Sequence, residues 1–284
     1  MERLTGVERW RRLADEQRAA GRRIGLVATM GALHRGHESL VAAARANGDY
    51  VLLTIFVNPR QFDRPDDLRA YPRTPEHDRA LAADMGVDAL VEPTLDEMWP
   101  AYPDATATTV SVRGVSDALE GAGRPGHFDG VASVVAKLAV ITGPCRAYFG
   151  EKDFQQLAVV RRLLFDLGFD VTVVGCPIVR DSDGLAISSR NVRLDPRART
   201  RALSLHEALD RAASIEGPAE SMRSVMRDVM AAASVEVAYA EVVDPLTLER
   251  TGDDETGPRR ALVAGVVDGV RLIDNRAVYV RGRA

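Results

Sequence analysis

Residues 24–57 read IGLVATMGALHRGHESLVAAARANGDYVLLTIFV, and this stretch decides the fold. Residues 24–28 are a short apolar run of the kind a strand covered on both faces requires. Gly31 and Gly36 punctuate the turn after that run, and residues 38–46 then place apolar side chains at helical spacing until Gly48 stops them. Residues 50–57 are a second buried strand. A strand, a helix and a strand in that order form a crossover unit, and such units build parallel sheets with helices on their faces.

Outward from this unit the alternation continues. Residues 58–75 carry prolines at 59, 65, 72 and 75 and form a long irregular connection, of the type that bears function in a compact domain. A helix is expected over 76–85 and a strand over 89–91. Further strands are expected at 108–112, 146–149 and 171–174, helices at 131–141 and 153–167, and a Gly-rich loop at 121–130. From Asp181 the character changes to a polar loop, a helix from near Pro196, a Gly217-Pro218 break, another helix, and strands at 235–243, 261–267 and 270–273. The expected fold class is therefore α/β: a Rossmann-like parallel sheet with helices on both faces over residues 1–179, and a smaller α+β domain over residues 180–284.

Composition narrows the class of function. A hydrophobic fraction of 46%, a charged fraction of 27% and a formal net charge of -4 suit an ordinary globular domain, and give no positive field for a nucleic-acid backbone. Residues 1–20 mix charges with apolar residues, unlike a signal peptide, and no charge-free apolar run approaches the roughly 18 residues of a membrane helix. Cys145 and Cys176 form neither a short-spaced metal pair nor a disulfide framework, so cytoplasm is the expected compartment. Of 37 basic residues all but Lys137 and Lys152 are arginine. A lysine kept against that bias marks a need for a compact ammonium, and Lys152, in Gly150-Glu151-Lys152-Asp153, is the candidate; Lys137, on an apolar helical pattern, reads as structural.

The chemistry begins at Thr29-Met30-Gly31-Ala32-Leu33-His34-Arg35-Gly36-His37, between the first strand of the unit and its helix. Ligands of doubly wound sheets bind beyond the carboxyl ends of the strands, and the N–H groups and dipole of a following helix attract phosphate. Two imidazoles there can donate to phosphoryl oxygens as charge builds in a transition state, and Gly36 leaves room for a nucleotide base. A zinc pair is disfavoured because no third ligand stands at suitable spacing.

This segment resembles the HxGH signature of the nucleotidyltransferase superfamily, which includes class I aminoacyl-tRNA synthetases. The neighbouring blocks sharpen the resemblance: Ile55-Phe56-Val57-Asn58-Pro59-Arg60-Gln61-Phe62, Arg124-Pro125-Gly126-His127-Phe128-Asp129-Gly130-Val131, Tyr148-Phe149-Gly150-Glu151-Lys152-Asp153-Phe154-Gln155-Gln156-Leu157, Ile187-Ser188-Ser189-Arg190-Asn191 and Arg271-Leu272-Ile273-Asp274-Asn275. In this order and over nearly the whole length they resemble the pantothenate synthetase family.

The resemblance implies adenylation of pantoate by ATP followed by capture with β-alanine, with Mg²⁺ carried on the ATP phosphates and a homodimer as the assembly. It implies ATP contacts at Met30, Gly31, His34, Gly36, His37, Gly150, Glu151, Lys152, Asp153, Val179, Ile187, Ser188, Ser189 and Arg190. His34, His37, Lys152, Ser188, Ser189 and Arg190 are the implied catalytic set, with His37 assigned as proton donor. Gln61, Gln156 and Met30 are implied for pantoate and Gln61 also for β-alanine. Neutral amides suit a hydroxy acid because they do not quench its carboxylate. Gln155, one step along a helix, should point about 100° away from Gln156. Phe56 and Val134 are alternative apolar neighbours of pantoate or core residues. Asn58, Arg124 and His127 either hold anions or stabilise loops. Ala28 replaces the family's proline, Ile187 replaces its methionine, and Arg35 stands where an acid is usual; no departure removes a catalytic side chain.

Overall fold

The computed structural model describes residues 1–282. Its elements in chain order are β1 (Glu2–Leu4), α1 (Val7–Ala19), β2 (Ile24–Thr29), α2 (Arg35–Ala46), β3 (Tyr50–Ile55), α3 (Pro65–Ala70), α4 (Pro75–Asp84), β4 (Ala89–Val91), α5 (Leu95–Met98), α6 (Glu120–Gly123), α7 (His127–Thr142), β5 (Cys145–Gly150), α8 (Phe154–Asp166), β6 (Val171–Cys176), α9 (Pro196–Ala213), α10 (Ala219–Ala232), β7 (Glu236–Val243), β8 (Gly257–Val267) and β9 (Val270–Val280). Three single-turn 3₁₀ segments, Pro59–Gln61, Glu151–Asp153 and Ser189–Arg193, lie between them.

The chain divides into two compact units, one of Met1–Ser116, Arg124–Glu151 and Gln156–Pro177, the other of Asp117–Gly123, Lys152–Gln155 and Ile178–Ala284. The first unit holds a six-stranded sheet in the order β1-β4-β3-β2-β5-β6, parallel throughout. Residues of β2 to β4 are almost all buried, which is why they read as unbroken apolar runs and not as alternating ones. Val27, Leu53, Leu90 and Tyr148 meet Leu33, Leu40, Val41 and Ala44 in one core cluster that fixes α2 against the sheet. Strand order reverses at β2, which pairs with β3 on one side and β5 on the other, Ile24↔Tyr50 and Leu26↔Ala147 setting the registers. The carboxyl ends of β2 and β5 therefore flank a topological switch point, where open α/β sheets bind ligands.

The second unit is built on the antiparallel sheet β7-β8-β9. Met222, Met226 and Met230 of α10 and Ala202, Leu205 and Leu209 of α9 form its core with Val242, Val263 and Val278. β8 and β9 are joined by Asp268 and Gly269 alone, both at positive φ (48° and 77°), the backbone a tight hairpin turn demands.

Three expectations need correction, the first being the irregular connection over 58–75, which holds the 3₁₀ turn Pro59–Gln61 and the helix α3 (Pro65–Ala70). Residues 108–112 form no strand; the Val110 N–H donates instead to Ser133 Oγ at 3.0 Å, and the Ser111 hydroxyl bonds Asp129. The expected loop over 121–130 contains the end of α6 and the start of α7. Besides the short helices α3, α5 and α6, β1 and α1 are also not expected from the sequence. β1 is a three-residue edge strand made only by its pairing with β4. Trp10, Leu13, Ala14 and Gln17 bury one face of α1 at spacings of three and four, a stripe too sparse among charged residues to stand out.

Candidate active site

In the first unit the ends of three adjacent parallel strands carry the candidate residues: β2 leads to His34 and His37, β3 to Gln61, and β5 to Gly150 and Glu151. The β2–α2 loop turns at Gly31 (φ 79°) and Ala32 (φ 49°). Its amides are not left to solvent. The buried carboxylate of Asp78, on α4, accepts Ala32 N–H at 2.9 Å through one oxygen and Leu33 N–H at 2.8 Å through the other, and also the Thr74 hydroxyl at 3.1 Å. Thr29 Oγ1 donates to the Thr54 carbonyl and accepts Gly31 N–H. The turn is thus bolted to two neighbouring elements before α2 starts.

His34 is the N-cap of α2. Its Nδ1 accepts Gly36 N–H at 3.1 Å, while His37 Nδ1 accepts the His34 backbone N–H at 3.3 Å, an imidazole version of the reciprocal capping box. An Nδ1 that accepts carries no proton, so both neutral rings hold theirs at Nε2. The rings stack with centroids 4.0 Å apart and planes 23° from parallel. A Cβ on Gly36 would fall 2.8 Å from His34 Cε1. Glycine is needed there by the capping ring itself, a more local reason than room for a base.

Gln61 ends the 3₁₀ turn after β3 and is buried. Its Oε1 accepts Asn58 Nδ2 at 3.0 Å, and Asn58 Oδ1 in turn accepts Trp99 Nε1–H at 2.9 Å. The Gln61 main-chain carbonyl accepts His127 Nδ1–H at 2.7 Å and an Arg124 N–H at 3.3 Å, and Arg124 also pairs with Asp63 at 3.1 Å. Arg124, His127 and Asn58 therefore stabilise this loop. Gly130 of α7 lies against it so closely that a Cβ would strike the Arg60 carbonyl. Phe56 and Val134 are buried core residues, and Met30 is half-buried. Gln156 is half-buried on α8. Lys137 holds the carbonyls of Glu97 and Met98 at the end of α5, and burial lowers its pKa, so its structural reading stands.

The second unit carries the remaining candidates. Gln155 is spent on structure, its Oε1 accepting Glu120 N–H at 2.9 Å and its Nε2 donating to the Ala118 carbonyl at 2.8 Å. Lys152 has its main-chain carbonyl pinned by Asn275 Nδ2 at 2.9 Å, and its Nζ lies 3.5 Å from Asp153 Oδ1. Asn275 is oriented by Arg260 Nε at 2.7 Å. Its neighbour Asp274 makes a two-pronged bond to Arg180 at 2.6 and 2.9 Å, which supports the bridge between Arg180 and Ala186. The Val179 carbonyl accepts Ile187 N–H at 3.0 Å, and Ser188 Oγ then caps the turn Ser189–Arg193 by accepting Arg190 N–H. The short segment from Val179 to Arg190 is held at its base and capped at its tip.

The family described as pantoate-beta-alanine ligase matches residues 2–277. The chain belongs to the pantoate-beta-alanine ligase family. A pantothenate synthetase of Paracoccus denitrificans is 53% identical over 269 residues, covering 93% of each chain. The crystal structure of pantothenate synthetase from Thermus thermophilus superposes with a TM-score of 0.88 at 44% identity, over 97% of this chain and 99% of that one. The pantoate-beta-alanine ligase of Francisella tularensis, solved with beta-gamma ATP and beta-alanine, gives a TM-score of 0.80 at 31% identity, over 97% of each chain.

For a member of the pantoate-beta-alanine ligase family, two residues stand out that the sequence does not single out. Asp78 lies far along the chain from the histidines it supports, and in sequence it is one acid among several on a charged helix. Trp99 lies in an irregular segment and reads as an ordinary aromatic. Both are found only through contacts across more than 40 residues of chain.

Proposed function

We propose that this ligase joins pantoate to β-alanine in two half-reactions, through a pantoyl adenylate. In the first, a pantoate carboxylate oxygen attacks the α-phosphorus of ATP, the bond to the bridging oxygen breaks, and pyrophosphate leaves. In the second, the β-alanine amine attacks the acyl carbon, AMP departs with the bonding pair, and the amine releases a proton as the amide forms.

The observation that carries this reading is the fixed tautomer of the stacked histidines. Each Nδ1 is an acceptor for a helix-start amide, so two Nε2–H donors are presented beside the N-terminus of α2, where the helix dipole already favours anions. Donors preset in this way stabilise charge developing on the triphosphate without reorganising. His37 then acts as a hydrogen-bond donor to phosphoryl oxygen.

Residues 1–179 serve as the nucleotide- and pantoate-binding domain in this reading, and residues 180–284 carry the Ser-Ser-Arg loop. Met30, Gly31, Gly36, Gly150, Glu151, Asp153, Val179 and Ile187 line the nucleotide; Lys152, Ser188, Ser189 and Arg190 attend the phosphates and the pyrophosphate that departs. Gln61 and Gln156 hold pantoate, Met30 packs on its methyl groups, and Gln61 also borders β-alanine. Among the described residues no group of three or more His, Cys, Asp or Glu side chains could hold a metal ion. That donor set fits Mg²⁺ arriving on the phosphates of ATP, where it neutralises charge while keeping much of its water. The enzyme works as a homodimer in the cytoplasm; no helix among the described residues is long and apolar enough to cross a membrane.

Exchange of labelled pyrophosphate into ATP tests the first half-reaction directly. Exchange should require pantoate and Mg²⁺ and proceed without β-alanine, and AMP should accumulate when β-alanine is added. Exchange indifferent to pantoate would overturn the reading.

A further inference from the structure

A buried indole sets the polarity of the proposed pantoate site. Trp99 is a donor only, and its Nε1–H points at Asn58, 2.9 Å away. The Asn58 atom facing it must be the oxygen. The opposite edge of that amide, Nδ2, then faces two acceptor positions, the Gly130 carbonyl at 3.1 Å and the Gln61 side chain at 3.0 Å. A backbone carbonyl can only accept, so it independently requires the same orientation of Asn58. The Gln61 atom meeting Nδ2 must therefore be Oε1. Asn58 is almost fully buried, and Trp99 and Gln61 are buried too.

We propose that Trp99 is a positioning residue that, through Asn58, fixes the Gln61 amide with its Nε2–H₂ toward the substrate, so that the site takes a hydroxy acid by a lone pair and not by a donated proton. This rests on the reading of Gln61 as a pantoate ligand. The ring is itself restrained, with the Arg60 guanidinium 5.1 Å and Lys137 Nζ 5.2 Å from its centroid. Without that N–H, the Asn58 orientation rests on the Gly130 carbonyl and the long bond from Arg60 N–H at 3.4 Å alone; a flip would set its one oxygen against both the Gly130 carbonyl and Gln61 Oε1. Gln61 Oε1 would then be held by a less firmly anchored Asn58 amide.

Trp99→Phe keeps an aromatic ring beside the two cations and removes the N–H with part of the indole. Steady-state kinetics should show KM for pantoate raised about tenfold with KM for ATP within twofold of the parent, and a Gln61→Ala variant should raise the pantoate KM at least as much. Gln61→Glu supplies a second measure that survives a folding defect at Trp99. It places an acceptor where Nε2 stood, so pantoate KM should rise sharply at neutral pH and recover as the pH falls and the carboxyl gains a proton it can donate. A rise with Gln61→Ala and none with Trp99→Phe overturns the relay and leaves the role of Gln61 intact. An unchanged pantoate KM in Gln61→Ala overturns that role itself. Equal losses for pantoate and ATP in Trp99→Phe, or a Gln61→Glu enzyme with parental pantoate KM at neutral pH, also overturn the proposal.

Discussion

At the scale of single residues, the working end of each histidine is decided by what its other nitrogen does. His34 and His37 each give Nδ1 to a helix-start amide, which leaves Nε2–H as the donor proposed for phosphate. Gly36→Ala pushes a methyl into the His34 ring and breaks that arrangement. Loss of the cap should cost about 1 kcal/mol of stability, whereas kcat for AMP release should fall much further; parallel denaturant melts and turnover assays separate the two effects. Asp78 makes the same point from outside the motif. In Asp78→Asn only one of the two oxygens that hold Ala32 and Leu33 remains, and an amide N–H₂ faces a backbone donor. Losing a charge-assisted bond of about 1.5–3 kcal/mol should lower kcat/KM for ATP by about 10- to 100-fold, and the circular dichroism of the folded enzyme should be retained. The HxGH pair was legible in the sequence because its chemistry is local. Asp78 was not, because an acid on a surface-like helix acquires its role only when α4 folds against the β2–α2 loop.

At the scale of elements, close approach between backbones does the positioning. α7 lies on the 3₁₀ turn that ends in Gln61, with Gly130 at the contact. Gly130→Ala should destabilise the protein by about 1–3 kcal/mol, the usual cost of overpacking, and should raise the pantoate KM as Gln61 is displaced; urea titration and kinetics check each part. A second tie joins β5 to the loop before β3. Tyr148 donates to the buried Asp49 carboxylate at 2.6 Å and accepts from Asn47, while Arg146 pairs with Asp49 at 3.1 Å. Burial, with the bond to Asp49, pushes the Tyr148 pKa up to about 12. Its folded value lies above the unfolded one, so this contribution is complete below pH about 10 and is lost as pH rises toward 12. Stability of the Tyr148→Phe variant should therefore depend less steeply on pH across that window in chemical melts. Tyr148 shares a sequence block with Lys152, yet one serves the scaffold and the other is proposed for the substrate; a block of similarity does not separate the two, and burial does.

At the scale of the whole molecule, the parallel sheet of the first unit followed from crossover units visible as apolar runs, whereas the antiparallel pairing of the second unit, read in sequence only as strand-like runs in an α+β domain, came from the structure. If Mg²⁺ arrives on the ATP phosphates as proposed, removing it with a chelator should abolish pyrophosphate exchange without unfolding the protein. Near-parental melting curves with activity restored by added Mg²⁺ are the expected readings. The proposed homodimer predicts a mass near twice the 30.8 kDa of the chain by light scattering at assay concentrations. The sequence by itself determined the fold class and the ordered blocks that place the chain in its family, since periodicity, turn residues and motif spacing are properties of neighbours along a chain. Tertiary structure alone decided that β1 is a strand, that residues 108–112 are not, that Asp78 holds the histidine loop, and that Trp99 aims the Gln61 amide. Each of these depends on a hydrogen-bond partner supplied from a distant part of the chain, and a donor or acceptor has no assigned role until folding brings that partner within about 3 Å.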